Sequence, residues 1–364
     1  MAKPEKNARL KLCCLFGGRS GEHEVSVISA RSLMKAADPA RYEVVPVGIT
    51  KEGIWKTPAG EGPPDPDRAF APDAVEVTLW SAPGFRGLIR LGGGTTPGWE
   101  RQAIDVVFPV LHGTFGEDGT VQGLIEMAGL PYVGSGVLGS AAAMDKDVMK
   151  RLFARAGLPQ VRWLTITAHR WRVQDDLVAK EIEETLGYPC FVKPTNLGSS
   201  VGISKVHGRG ELGPTIETAA RYDHRVIIEE GVAAREIECA LLGNDDPETS
   251  VLGEIVPCKE FYDYEAKYLM EGSELLIPAP LPDAATREAQ TLAVRAFEAV
   301  GASGLARVDF FVEKETGRIL VNEINTLPGF TEISMYPKLW DASGLSYRAL
   351  IDRLVDLALS RHAE

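Results

Sequence analysis

Near the start of the chain, apolar positions alternate between runs suited to buried strands and spacings suited to helices. Leu10–Phe16 is apolar except at Lys11 and meets Gly17-Gly18, as a strand entering a tight turn does. Val25 to Ala37 carries apolar residues at helical spacing and stops before Asp38-Pro39. Tyr42–Ile49 and Asp105–Leu111 are strand-like, Gln122–Ala128 predicts a helix closed by Gly129, and Tyr132-Val133 predicts a short strand. Alternation of this kind predicts an open parallel sheet with helices on its faces.

Residues 58–100 interrupt the pattern with fifteen Gly or Pro in forty-three positions, so an irregular insertion carrying a small β-meander around Val75–Trp80 is expected there. Asp145–Ala156 predicts a helix capped by Asp145 and ended by Gly157. Beyond it the pattern mixes strands (Phe191-Val192, Val201–Val206, Val226–Glu229, Glu236–Leu242, Ser250–Val256) with a helix at Ala284–Val300. A hairpin from Leu305 to Ile324 and a last helix from Tyr347 to Arg361 complete the reading. No repeat at a fixed period and no low-complexity tract interrupts it.

At 364 residues and 45% hydrophobic, the chain is long enough for two or three packed domains. Its net charge of −12 argues against a nucleic-acid track or an anionic membrane surface, both of which need a basic face. A local basic pocket for a small anion stays open. The five cysteines have no C-x-x-C spacing and lie mostly in apolar runs, as reduced buried thiols do. The first residues are polar and the first apolar run is short, so neither a secretory signal nor a membrane span is expected and the cytoplasm is the expected location.

The hairpin carries the strongest chemical signal. If it is symmetric about Thr316, Asp309 faces Glu323 and Arg307 faces Asn325, with all four side chains on one face. Opposed carboxylates with Cβ atoms roughly 4.5–5.5 Å apart repel unless a cation lies between them. An oxygen-only set suits magnesium. A solvated polar face opposite a buried row of Phe310, Val312, Leu320 and Ile324 is the plainer alternative. The cluster Asn322-Glu323-Ile324-Asn325 beside an arginine favours the metal.

In F-V-K-P-T-N-L-G-S-S-V-G, residues 191–202, an apolar strand delivers Lys193 to a Gly/Ser-rich loop whose amides can approach a phosphate. A plain turn fits the same residues, and this is not a P-loop, because the lysine precedes the glycines. Glu22, in the loop entering the first helix, would repel a dinucleotide pyrophosphate and attract an ammonium group. His112 opens a Gly-rich loop at a strand end, where substrate contacts are usual and structural histidines are common.

Taken together, GGRSGEHEVS, LHGTFGEDGTVQG, the MDK at 144–146, FVKPTNLGSSVG, YDYEAKY at 262–268 and VNEINTLPGF at 321–330 resemble the D-alanine–D-alanine ligases of the ATP-grasp superfamily. The resemblance runs from Phe16 to about Pro337, and the insertion at 58–100 resembles the longer branch of that family. It implies an α/β fold in which an N-terminal open parallel sheet domain (1–143) precedes two α+β units (144–224 and 225–364) that clasp ATP. It also implies residue roles. Lys146 and Lys193 would hold ATP phosphates, Glu229 and the backbone at Val232 the adenine, and Glu236 the ribose. Two magnesium or manganese ions would be bound by Asp309, Glu323 and Asn325. Glu22 would take the ammonium of the first D-alanine, supported by Ser199 and Tyr268, with His112 nearby; Lys267 and Ser334 would take the carboxylate of the second. Arg307 and the Gly329 N–H would stabilise the tetrahedral oxyanion, and residues 257–272 would form a lid. Where many members carry a large aromatic after the adenine-contacting glutamates, this chain has Glu230-Gly231-Val232.

The implied reaction is ATP-dependent joining of two D-alanines through a D-alanyl phosphate, for peptidoglycan precursors, by a homodimer without nucleic-acid or membrane partners. A D-alanine–D-lactate ligase is the neighbouring alternative, disfavoured by the EAKY segment at 265–268. A non-catalytic binding protein is the more distant one, disfavoured by the intact Lys146, Lys193, Arg307, Asp309 and Glu323.

Overall fold

The computed structural model describes residues 9–91, 99–198, 202–256 and 274–363. Its first sheet contains β1 (Leu10–Gly17), β2 (Tyr42–Ile49), β3 (Trp55–Thr57), β4 (Val75–Leu79), β5 (Gly87–Leu91), β6 (Trp99–Ala103) and β7 (Val106–Pro109), in the order β6-β5-β4-β3-β2-β1-β7. β1 runs parallel to β2 and to β7, with α1 (His23–Ala36) as the crossover to β2. β1 is covered on both faces, which is why LKLCCLFG reads as a continuous apolar run rather than an alternating one. Residues 58–100 supply the short α2 (Pro66–Ala69), then β4, β5 and the start of β6, an antiparallel meander that continues the sheet.

The helices α3 (Thr120–Met127), α4 (Val137–Met144) and α5 (Lys146–Arg155) lead to a second sheet. Asp145 caps α5 by accepting from the amides of Asp147 and Val148, and Gly157 beyond its end adopts a positive φ of 66°. The second sheet, β8 (Trp163–Thr167), β9 (Cys190–Pro194), β10 (Ser204–Val206) and β11 (Arg225–Glu230), is antiparallel in the order β10-β9-β11-β8. It packs its own core against α6 (Ala168–Thr185) and α7 (Arg209–Ala219). Arg225–Glu230, at the head of the third expected segment, pairs within this second sheet.

The third sheet is β12 (Ala234–Gly243), β13 (Glu248–Val256), β14 (Glu274–Leu276), β15 (Gly304–Glu313) and β16 (Ile319–Asn325), in the order β14-β13-β12-β15-β16. α8 (Asp283–Val300) buries Ala289, Leu292, Ala293, Ala296, Phe297 and Val300 on one face of it, a helical stripe of apolar residues. On the other side, α9 (Met335–Ala342) and α10 (Tyr347–Arg361) share a single core with β1, β7 and α1 of the first unit. Tyr42 donates to Asp352 at 2.6 Å and Arg361 to the Tyr132 carbonyl at 3.2 Å, so first and third units are joined by α10, while the second keeps a separate core.

The hairpin pairs Arg307 with Asn325 and Asp309 with Glu323, as expected, by a different route. Its turn is centred half a residue before Thr316, so Phe311 opposes Leu320, and a bulge at Asn322 restores the register at Asp309. Leu320 therefore shares a face with Phe311, and the row packed under α8 is Phe310, Val312, Ile319, Val321 and Ile324.

β1 and β7 are neighbours whose carboxyl ends open on the loops bearing Glu22 and His112, the usual position for a ligand crevice in an open α/β sheet. Gly17 makes the exit from β1 with φ 87°, and a Cβ there would lie 2.3 Å from the Ile49 carbonyl oxygen. Gly17→Ala is expected to cost at least about 1–3 kcal/mol of stability from backbone strain alone. Urea unfolding midpoints of the two proteins measure it, and an unchanged midpoint would contradict the turn geometry.

Candidate active site

The three sheets enclose a cavity of about 1310 Å³ lined by residues of all three, including Glu22, His112, Lys146, Lys193, Glu229, Val232, Glu236, Arg307, Asp309, Glu323, Asn325, Gly329 and Ser334. Ser199, Lys267, Tyr268 and the expected lid lie outside the described residues.

At the first-sheet end, buried Glu22 and His112 meet Glu117, a residue of the same Gly-rich loop to which the sequence assigns no role of its own. The His112 Nδ1 lies 3.8 Å from Glu117 and its Nε2 lies 3.3 Å from the Ser29 hydroxyl. Burial opposes a charged imidazole, but Glu117 and then Glu22 outweigh it and hold His112 above its ordinary value. Burial raises Glu117 against the pull of His112, with the charge of Glu22 adding to the rise. An excess of acid over base at this end suits an ammonium group. Glu117 was legible in principle as the acid inside the GEDG loop.

The middle of the cavity is built by α5, β9 and β11. Lys146 donates to the Leu197 carbonyl at 2.7 Å, and its own amide bonds the Thr195 carbonyl at 2.9 Å, so the helix start is fixed to the loop after β9. Lys193 donates to the Glu229 carboxylate at 2.6 Å. A second ammonium, Lys150, lies 3.1 Å from the other Glu229 oxygen and is 1% exposed. Burial would push Glu229 up, but the two lysines bring it down to about 2, and Glu229 in turn outweighs burial to raise Lys193. Lys150 is lowered, chiefly by burial, with Lys193 adding to the effect and Glu229 opposing it. Lys150 went unnoticed in the sequence because nothing in MDKDVMKR says which helix face is inward; its i+4 spacing from Lys146 was the available signal.

Across the third sheet, Glu238 of β12, Asp309 of β15 and Glu323 of β16 are cross-strand neighbours. Arg307 donates to both oxygens of Asp309 at 2.7 Å and lies 3.0 Å from Glu238. These carboxylates overcome its burial and keep it charged, above its ordinary value. Glu238 was also missed, although Glu236 and Glu238 stand at period two within an otherwise apolar strand. Below them the Ser334 hydroxyl accepts from the Thr331 amide at 3.1 Å, and a Cβ on Gly329 would lie 3.0 Å from that oxygen. Gly329 thus brings bare backbone against the start of α9.

Among the described residues no three His, Cys, Asp or Glu side chains are grouped to hold a metal. The expected set is the carboxylates of Asp309 and Glu323 and the Asn325 amide, with Glu238 on the far side of Asp309. That composition fits a magnesium ion completed by phosphate oxygens rather than an all-protein cage.

Sequence comparison places this geometry in a family. The D-ala D-ala ligase N-terminus matches residues 11–135, and the D-ala D-ala ligase C-terminus matches residues 152–356. The chain belongs to the D-ala D-ala ligase family. It is 49% identical over 355 residues to a D-alanine–D-alanine ligase of Thermoanaerobacter sp. (strain X514), covering 97% of this chain and 98% of the relative. It is 50% identical over 361 residues to that of Heliobacterium modesticaldum, covering 97% and 95%. Among solved structures, the VanG D-Ala:D-Ser ligase from Enterococcus faecalis superposes with TM-score 0.86 at 36% identity, covering 96% of this chain and 100% of that one. The D-alanine-D-alanine ligase from Coxiella burnetii gives 0.82 at 36% identity, covering 98% and 96%. The ATP-grasp fold expected from the motifs is therefore the fold of this ligase.

The buried cluster around Glu229 has a pH signature. Its folded value of about 2 lies below the ordinary 4.5, so its stabilisation is complete above pH 4.5 and declines as the pH falls toward 2. Glu229→Gln leaves two buried ammonium groups without their carboxylate and is expected to lose about 3–5 kcal/mol at neutral pH. The gap in melting temperature from wild type should be widest at neutral pH and narrow in acid below 4.5; a gap that widens in acid would contradict the assignment.

Proposed function

We propose that this ligase joins two molecules of D-alanine, with conversion of ATP to ADP and phosphate, to supply D-alanyl-D-alanine for cell-wall precursors. The observation that carries the reading is one cavity with an acidic end at Glu22, His112 and Glu117, a lysine centre, and an arginine–carboxylate row across the third sheet. The relatives bearing the D-alanine–D-alanine ligase name cover nearly the whole chain and support the same substrate.

A carboxylate is a poor electrophile, so the first D-alanine, its ammonium against Glu22, attacks the γ-phosphate and becomes an acyl phosphate. Lys146 and Lys193 offset the charge gathered on the phosphates. The base lies against Glu229 and the backbone at Val232, and the ribose against Glu236. A divalent cation bound by Asp309, Glu323 and Asn325 would screen the phosphate oxygens. The second D-alanine, its carboxylate held by Ser334 at the start of α9 and by Lys267, then attacks through its neutral amine. Arg307 and the Gly329 N–H receive the oxyanion, each such preorganised donor contributing about 3–4 kcal/mol. By the family resemblance, Ser199 and Tyr268 would support the first substrate, and segment 257–272 would exclude water that hydrolyses the intermediate. We place the enzyme in the cytoplasm as a homodimer; no helix among the described residues is long and apolar enough to cross a membrane.

The test is phosphate release from ATP against a panel of D- and L-amino acids with product analysis. Release that depends on D-alanine and yields the dipeptide is expected. Release with D-serine or D-lactate as the better second substrate would change the product, and none with any amino acid would leave a binding protein. Glu323→Gln keeps the shape of the side chain and removes a charged ligand, so it is expected to abolish ligation with little change in melting temperature. Wild-type turnover in that variant would refute the metal assignment. Lys193→Met is expected to weaken ATP binding by one to two orders of magnitude, from loss of about 1.5–3 kcal/mol in charge-assisted bonding. Calorimetric titration with ATP measures it.

A further inference from the structure

We propose that Lys150 is a positioning residue that sets the enzyme's preference for an amino-bearing purine, by holding Glu229 ionised while Lys193 is engaged by phosphate. The inference rests on the reading that the base lies against Glu229.

The two oxygens of Glu229 are divided between two cations, with Lys193 at 2.6 Å from one and Lys150 at 3.1 Å from the other. The Lys193 pair alone would balance the carboxylate. Burying a further ammonium behind it is unfavourable, and a single ion pair needs no such addition. The two lysines differ in access. Lys193 and Glu229 line the cavity, whereas Lys150 is 1% exposed and stands behind them on α5, its ammonium 5.7 Å from the centre of the Trp163 ring. A ligand in the cavity therefore meets Lys193 and Glu229 directly, and Lys150 only through Glu229.

That arrangement has a purpose once an anion arrives. The two ammonium groups share the Glu229 carboxylate, with Glu323 acting on both lysines and Glu236 on Lys193, and a phosphate drawn to Lys193 would compete with Glu229 for it. Glu229 would then share its accessible partner with the phosphate, and Lys150 remains as its own counter-ion. An ionised carboxylate can only accept hydrogen bonds. It therefore favours the 6-amino group of adenine and repels the 6-oxo group of hypoxanthine or guanine. Without Lys150, a buried Glu229 whose remaining cation is turned to phosphate would take up a proton and become a donor as well. The 6-oxo purines would then be accepted.

The experiment compares kcat/KM for ATP and for inosine triphosphate, at saturating D-alanine, in the wild type, Lys150→Met, Lys150→Arg and Glu229→Gln. Lys150→Met leaves a balanced Lys193–Glu229 pair and fills the same volume; melting curves establish that it and Glu229→Gln are folded, and where they are not, Lys150→Gln and the double variant Lys150→Met/Glu229→Gln, which buries one ammonium fewer, replace them. The ATP preference is expected to fall by roughly tenfold or more in Lys150→Met, and in Glu229→Gln, whose amide both donates and accepts. Lys150→Arg keeps the charge and should restore most of the preference, while the KM for D-alanine stays near wild type in both Lys150 variants. A wild-type preference in folded Lys150→Met, with the preference lost in Glu229→Gln, would overturn the role of Lys150 and leave Glu229 as the reader of the base. An unchanged preference in Glu229→Gln would remove the base from Glu229 altogether and the proposal with it.

Discussion

Setting carboxylates side by side on neighbouring strands of a buried sheet is unfavourable unless a cation stands among them, and here Arg307 meets that constraint. It lies between Glu238 and Asp309, with Glu323 across the next strand pair. A guanidinium suits the place better than an ammonium, because its planar fork engages both oxygens of Asp309 at once. The acids can then be held close together before any ligand arrives, and the third sheet can present a fixed row of oxygens to the cavity.

The same rule of paired burial governs the centre of the cavity with the signs reversed. There two buried lysines share the one carboxylate of Glu229, and at the first-sheet end acids exceed bases. The cavity thus runs from an acidic end through a basic centre to an acidic row buffered by arginine. Each stretch is held by a different sheet, so its charge pattern is a property of how the three sheets are assembled. The shared core of the first and third units beneath α10 keeps the two acidic stretches in one frame. The second unit, carrying Lys193 and Glu229, has a core of its own. It meets α5, where Arg225 of β11 pairs with the capping Asp145.

The hairpin shows how local irregularity serves the site. A turn centred half a residue early would have put Glu323 out of line with Asp309, and the bulge at Asn322 brings it back. Below the bulge, Ile319 and Val321 pack under α8; beyond it Ile324 does, freeing Glu323 for the other face. Bulges gather beside active sites because they re-aim side chains in this way.

Much of this was legible from the chain alone. Continuous apolar runs, helix caps at Asp145 and breaks at Gly129 and Gly157 mark the elements, because each depends on contacts a few residues long. The motifs around Glu22, His112 and Lys193 were visible because glycines and charged residues gather where strands give way to loops, and Glu323 because a hairpin's period of two opposes it to Asp309. Tertiary structure alone decided that Lys150 faces inward, that Glu238 joins the acidic row, that Glu117 meets His112, and that α10 binds the first unit to the third. Those facts depend on which faces meet across distant parts of the chain, and burial turns an ordinary surface charge into a paired one only after the sheets have closed around it.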